Sequence, residues 1–358
     1  MAQTLAVKYR PKAFEEVCGQ RAIRVILEEQ IHTKTHKNAY LFCGPAGCGK
    51  TTLARIFADG INEGKGNPIE IDAASNNGVE DVRNIIQQAG FQSLDSQYKV
   101  YILDECHMFS NGAWNAMLKL IEEPPAKTIF IFCTTDPQKI PSTILSRVQR
   151  YDFSRLPYDV VLKRLQYILG EELRSRLIAQ GATKVDLVQA EDSDYYDVED
   201  GALEYIAKLA DGGMRDAITM LDKVLSYEDK PTVKGVVDAL SAVDYSVQIK
   251  LFSAIVDGKS DEALKTVEEV YYDGRDLKTF MRQFQLFVLD VYKYKIFGNG
   301  DYLQTPEQFL KDIKSFDDVD DKFIAFVLKK VNELNTTLKW DNQPKLLIEC
   351  EVLQLCVD

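Results

Sequence analysis

Gly44 to Thr51 read GPAGCGKT, and 54 positions on from Lys50 stand two adjacent acids, Asp104 and Glu105. The spacing GxxxxGK[ST] builds a phosphate cradle from Gly44, Pro45, Ala46, Gly47, Cys48 and Gly49. Backbone N–H groups of such a loop and the positive end of a following helix face the phosphates. Lys50 reaches the β and γ oxygens and the Thr51 hydroxyl reaches Mg2+, with Thr52 continuing the helix. The acids supply the complementary chemistry. Asp104 falls near the metal held by Thr51, and Glu105 lies beyond it, where a carboxylate can orient or deprotonate an attacking water. Paired acids at a strand end are commonly solvated turn residues; behind a complete loop they read as a Walker B pair. Oxygen ligands and phosphates suit Mg2+, and no His or Cys cluster competes for a softer metal.

These residues need a strand before the loop, a helix after it and a second strand beneath the acids. The apolar run Ala39 to Cys43 and the helical stretch Thr52 to Asp59 flank the loop, and KVYIL, Lys99 to Leu103, runs straight into Asp104. Between Lys37 and Phe153 further β-rich runs, Ile69 to Asp72, Ile129 to Cys133 and Arg150 to Phe153, alternate with amphipathic stretches. That alternation predicts a mainly parallel sheet covered by helices. From Tyr158 onward the apolar spacing turns helical, as in Leu203, Ile206, Ala207 and Ala210, or Phe280, Phe284, Phe287 and Val288. Thr183 to Asp200 is crowded with acids and reads as an exposed connector, and SYEDKPT, Ser226 to Thr232, marks a second boundary.

Bulk properties set limits. A chain of 358 residues with 46% apolar content can bury two or three cores. No apolar run approaches the roughly 18 residues of a membrane span, and the N-terminus has no signal-peptide core, so a cytoplasmic location is expected. Seven cysteines form no CxxC pair and read as reduced thiols. The formal charge of -12 excludes a uniformly basic surface, so any nucleic-acid contact is local or assembled from several chains.

Three further residues stand where they could meet a bound nucleotide. The run TIFIFC ends at Thr134 and Thr135, so Thr135 either caps the strand or touches the γ-phosphate or the water. Arg147, in PSTILSR, either pairs with a surface acid or reaches a neighbour's γ-phosphate as an arginine finger. Arg215, in GGMRDAI, is a second phosphate contact at a helix start.

Taken together, LAVKYRPKAFEEVCGQ, GPAGCGKTTLAR, EIDAASNNGVEDVR, VYILDECHMFSNGAWNAMLKLIEEPP, FIFCTTDPQKIPSTILSRVQRYDF and LADGGMRDAITMLDKVL resemble the clamp-loader ATPases of the AAA+ class, of the bacterial DNA polymerase III tau/gamma type. The likeness is dense over roughly the first 225 residues and thinner beyond. It implies an α/β plus all-α fold: an AAA+ P-loop ATPase domain over 1–155, a helical lid over 156–228 and a helical collar for oligomerisation over 229–358. It places Tyr9, Arg10 and Pro11 near the adenine, makes Thr135 the sensor threonine, Arg147 the finger acting in trans and Arg215 the lid sensor arginine.

The resemblance further implies ATP and Mg2+ as ligands, other loader subunits in a pentamer, a sliding clamp and primer-template DNA as partners, and the replicative polymerase indirectly. Candidate DNA contacts are Arg83, Lys119 and Lys139, each equally readable as an ordinary surface charge. Asn84 to Leu94 forms an amphipathic stretch that either meets the clamp through Phe91 or packs on its own domain. Three departures stand out. Asp59 to Pro68, DGINEGKGNP, replaces the four-cysteine zinc module, so no zinc is expected; Val148 stands where the motif has cysteine; and the chain stops after the collar, as in a short gamma-like form or a compact phage relative. The competing readings are a nucleotide-binding scaffold that does not hydrolyse, and another AAA+ DNA-remodelling motor.

Overall fold

The computed structural model describes residues 3–91, 95–179, 201–240, 245–300, 302–303, 305, 309–341 and 343–357. The acid-rich stretch 183–200 and the end of the amphipathic stretch, 92–94, lie outside them. The chain forms two compact units, one of 1–182 with 210–222, the other of 183–209 with 223–358.

In the first unit five strands, β1 (Ala39–Cys43), β2 (Ile69–Asp72), β3 (Lys99–Asp104), β4 (Thr128–Thr134) and β5 (Gln149–Asp152), pair in parallel in the order β2-β3-β4-β1-β5. The five runs expected from the sequence are the five strands, and β3 extends through Asp104 itself. Each central strand is apolar on both faces because both faces are covered. Leu41, Tyr101, Leu103, Phe130 and Phe132 pack on one side with Val82, Trp114 and Met117, carried by α4 (Val79–Ala89) and α5 (Asn111–Glu122). Tyr40, Phe42, Ile102, Ile129 and Ile131 face the other way, against Leu27 of α2 (Arg21–His32) and Leu53 and Phe57 of α3 (Lys50–Ile61). The unit also holds the short helices α1 (Leu5–Lys8) and α6 (Ser142–Leu145) and the long α7 (Tyr158–Ala179).

The helices α8 (Ala202–Leu209) and α9 (Met214–Tyr227) follow, the unit boundary falling within α9. The second unit continues with α10 (Val233–Ala239), α11 (Tyr245–Val256), α12 (Ser260–Tyr272), α13 (Leu277–Phe297), α14 (Leu310–Lys314), α15 (Asp321–Leu338) and α16 (Pro344–Val357). Its core is aromatic. Phe252, Phe284, Phe287 and Phe316 meet at centroid distances of 4.8 to 6.4 Å, mostly edge to face or tilted. Helix ends are closed locally: Asp276 accepts from Lys278 N and Thr279 N before α13, Gly298 ends it at φ 68°, and Thr232 caps α10 through Gly235 N. Inside α13, buried Asp290 accepts from the backbone N and the hydroxyl of Thr305.

Candidate nucleotide site

The loop after β1 turns on three glycines that reach positive φ, Gly44, Gly47 and Gly49. At Gly44 a Cβ would stand 2.5 Å from Phe153 O, so this backbone approaches β5's exit too closely for any side chain. α3 begins at Lys50 and aims its free N–H groups into the loop. Lys50 is only 5% exposed, and its Nζ donates to Gly44 O at 2.8 Å and Pro45 O at 2.7 Å. A buried ammonium without anionic company is costly, so its place here is that of a cation set to meet phosphate.

β3 and the loop converge on one hydrogen bond: Thr51 Oγ1 donates to Asp104 Oδ2 at 2.7 Å. Asp104 Oδ1 accepts from Glu105 N at 3.0 Å. Glu105 itself leaves the strand in the left-handed region, φ 46° and ψ 41°, a conformation that costs a non-glycine residue about 1–2 kcal/mol. Its Oε2 accepts from Thr135 Oγ1 at 2.9 Å. Thr135 thus meets the cleft through Glu105 and is not itself among the cleft-lining residues.

The cleft above the loop is lined by Tyr9, Arg10, Pro11, the loop from Ala46 to Thr52, Asp104, Glu105 and Arg215. Of the residues expected at the adenine, phosphates and metal, all but Gly44 and Pro45 line this cleft, and Arg215 joins them, whereas Thr135 does not. Gly44 and Pro45 serve it through their carbonyls to Lys50. Arg215 arrives because Leu156 N donates to Gly212 O and Met214 N donates to Gly47 O at 3.1 Å, fastening the first turn of α9 to the loop. Four cations, Arg10, Lys50, Arg164 and Arg215, share the lining with two acids. Burial lowers the Arg10 pKa, with Arg55 and Arg215 adding to that against the pull of Glu70 and Asp104. A cleft so lined attracts a polyanion although the whole chain is acidic.

The N-terminal wall is held by side chains that carry no motif. Tyr9 OH and Lys8 Nζ both donate to Glu172 Oε1, at 2.7 and 2.6 Å, and Arg164 donates to Tyr9 O at 3.0 Å. Burial and the bond to Glu172 push the Tyr9 hydroxyl pKa well up. Burial pulls the Glu172 carboxyl up too, but hydrogen bonds from Lys8 and Tyr9 outweigh it and leave that pKa lowered.

Sequence reading missed Arg164, which sits in an ordinary amphipathic helix, and with it the cleft-lining Val17, Cys18, Leu156, Met214 and Ile218. It also passed over His107, two positions past Glu105, whose Nδ1 lies 3.3 Å from Glu105 Oε2. The DECH run was its available signal. Burial raises the Cys18 and Cys48 thiols, keeping both protonated and weakly nucleophilic.

Other expected residues lie apart from the cleft. Arg147 is exposed, with Nε 2.8 Å from Glu122 Oε1 and Nη1 donating to Thr143 O. Arg83 pairs with Glu80 and Lys139 with Asp136, while Lys119 is exposed on α5. Phe91 is 73% exposed after α4, whereas Val82, Ile85 and Ala89 of that helix are buried. Seven residues, 62–68, join α3 to β2, and among the described residues no group of His, Cys, Asp and Glu is arranged to hold a metal ion by itself.

Comparison with known proteins agrees along the chain. The DNA polymerase III delta subunit family model matches residues 61–157, the DNA polymerase III clamp loader subunit ATPase lid domain matches 187–229, and the DNA polymerase III subunits gamma and tau domain III matches 232–318. DNA polymerase III subunit tau of Bacillus subtilis is 35% identical over 99% of this chain and 63% of that protein. The chain belongs to the DNA polymerase III gamma/tau family. Other gamma/tau relatives include the gamma/tau subunit of Mycoplasma genitalium, 30% identical over 93% of this chain and 55% of its own length, and the tau subunit of Escherichia coli, 32% identical over 76% and 42%. The chain thus spans about two fifths to three fifths of the gamma/tau relatives it matches. A solved structure of the Thermotoga maritima RuvB Holliday junction branch migration motor is 20% identical, with a TM-score of 0.48, over 69% of this chain and 79% of that one.

Proposed function

We propose that the chain is the ATP-hydrolysing motor subunit of a replicative clamp loader. The observation that carries the reading is the Thr51–Asp104 hydrogen bond, with Glu105 beside it, at the floor of a cationic cleft. This donor set fits Mg2+, which takes hard oxygen ligands, and Lys50 fits the phosphates that accompany it. When bound, the metal neutralises charge on the phosphate oxygens. Lys50, Thr51 and the loop amides bind the polyphosphate, Tyr9, Arg10 and Pro11 wall the base, and Arg215 reports the phosphates to the lid. Glu105 orients or deprotonates the water, and Thr135 steadies it.

Arg147 serves a neighbouring subunit's site. Its absence from the lining of the chain's own cleft and its exposed position support a finger that works in trans. The functional division is 1–155 for the ATPase, 156–228 for the lid and 229–358 for the collar. Arg83, Lys119 and Lys139 meet DNA, the first and last by exchanging a local acid for a phosphate. Exposed Phe91 anchors the clamp contact. The partners are other loader subunits in a pentamer, the sliding clamp and primer-template DNA, with the polymerase reached indirectly, in the bacterial or phage-infected cytoplasm.

The test is ATP hydrolysis by the chain alone and then with its cognate clamp and primed DNA, with Glu105→Gln as control. Stimulation by the two together, lost in the variant, is the expected outcome. Turnover that Glu105→Gln leaves intact, or a clamp that the chain fails to retain in a pulldown, sinks the reading.

A further inference from the structure

We propose that His107 is a positioning residue that holds the carboxylate of Glu105 for its reaction with water. The inference rests on the ATPase reading above and adds a residue to its machinery. β3 ends at Asp104 and the chain turns through left-handed Glu105 into a single 3-10 turn, Cys106–Met108. That turn folds His107 back behind the acid, where its side chain is only 12% exposed. Its Nδ1 stands 3.2 Å from Thr134 Oγ1 and 3.3 Å from Glu105 Oε2.

The neighbours decide which atom carries the proton. A bare Nδ1 lone pair facing a carboxylate oxygen at that distance is repelled, whereas an N–H is attracted, so Nδ1 is protonated. Thr134 is fully buried at the end of β4, and its Oγ1 is fixed by accepting Asp136 N at 3.0 Å. The ring is thus anchored to the sheet by a rigid acceptor and lies against the acid. Thr135 Oγ1–H approaches the same Oε2 from the next position of the chain. The Thr135 hydroxyl donates to Oε2, and the Nδ1–H edge of the ring, hydrogen-bonded to Thr134, lies 3.3 Å from the same oxygen, which leaves Oε1 as the oxygen that takes the proton. In the reaction the water oxygen bonds to the γ-phosphorus, its proton passes to Oε1, and the electron pair of the broken P–O bond leaves with ADP. Orientation of this kind acts on the chemical step and not on nucleotide affinity.

The structure carries a reason for such an arrangement. The turn is half-buried, and the backbone cost of a left-handed glutamate is borne only where surrounding contacts over-determine the conformation. His107 and Thr135 are those contacts.

The experiment compares His107→Leu, His107→Asn and Thr134→Val in the assembly that the tagged chain forms in its own cells, reading kcat and KM for ATP. His107→Leu lowers kcat about ten-fold or more with KM within about two-fold, as misplacement of a reacting group does. Asparagine, whose Nδ2–H occupies the place of Nδ1–H, recovers most of that loss. Thr134→Val, which frees the ring and keeps the shape, lowers kcat by a smaller factor, and His107→Leu adds no further loss to Glu105→Gln. Equal losses in the Leu and Asn variants, or a raised KM at unchanged kcat, reduce His107 to packing and overturn the inference. If Glu105→Gln turns over like the parent chain, the ATPase reading itself fails. If that variant is inactive while His107→Leu is unimpaired, only the positioning role falls.

Discussion

The candidate nucleotide cleft and the C-terminal helices solve opposite problems. Around the cleft the chain breaks local preferences: Lys50 is buried, Glu105 stands in the left-handed region and Gly44 is pressed against Phe153. In the helical unit preferences agree with one another, with α13 capped by Asp276, closed by Gly298 and filled by phenylalanines at helical spacing. Residues that carry chemistry are restricted in type and order, and so announce themselves. Residues that only pack are restricted in volume, and announce little beyond their period.

Three substitutions separate chemistry from packing. Arg147→Ala has the largest expected effect: turnover in the assembled complex falls about a thousand-fold, the lower end for an arginine finger, while ATP binding by the chain is unchanged. Binding and single-turnover assays on one preparation check it, and equal turnover would return Arg147 to a surface partner of Glu122. Phe284→Ala comes next. It removes a fully buried ring from the helical core and costs about 3–5 kcal/mol in denaturant unfolding, with ATP affinity in the cleft unchanged. A parallel fall in affinity would show that the packing region and the chemical region are one cooperative body. Thr232→Ala is the mildest, losing the cap on α10 at about 1 kcal/mol, measurable as a lowered thermal midpoint without change in turnover.

Much of the first unit was legible in advance. Both-face apolar runs gave the three central strands, because covered parallel strands need unbroken hydrophobic sequence, and the more polar runs IEID and QRYD gave the edge strands, all within about a residue at each end. The loop, the acids and Arg215 were found by motif and do share the cleft. What stayed hidden depends on contacts between distant segments. The insertion of β4 between β1 and β3 follows from crossover topology, and neither strand's residues specify it. Arg164 enters the cleft wall only because α7 lies against Tyr9, and His107 matters only because β4 places Thr134 beside it. Thr135 was expected at the phosphates or as a simple cap, and its hydrogen bond to Glu105 Oε2 was not foreseen. The unit boundary inside α9 is equally silent, since the helical period runs through it without a break.

The left-handed turn at Glu105 bears on how this protein would drift under artificial selection. Glycine occupies that region without steric penalty, so Glu105→Gly relaxes the backbone while deleting the group proposed to activate water. A library screened for heat resistance alone would therefore tend to enrich silent variants at this position. Retaining a working chain demands that every round also ask for turnover.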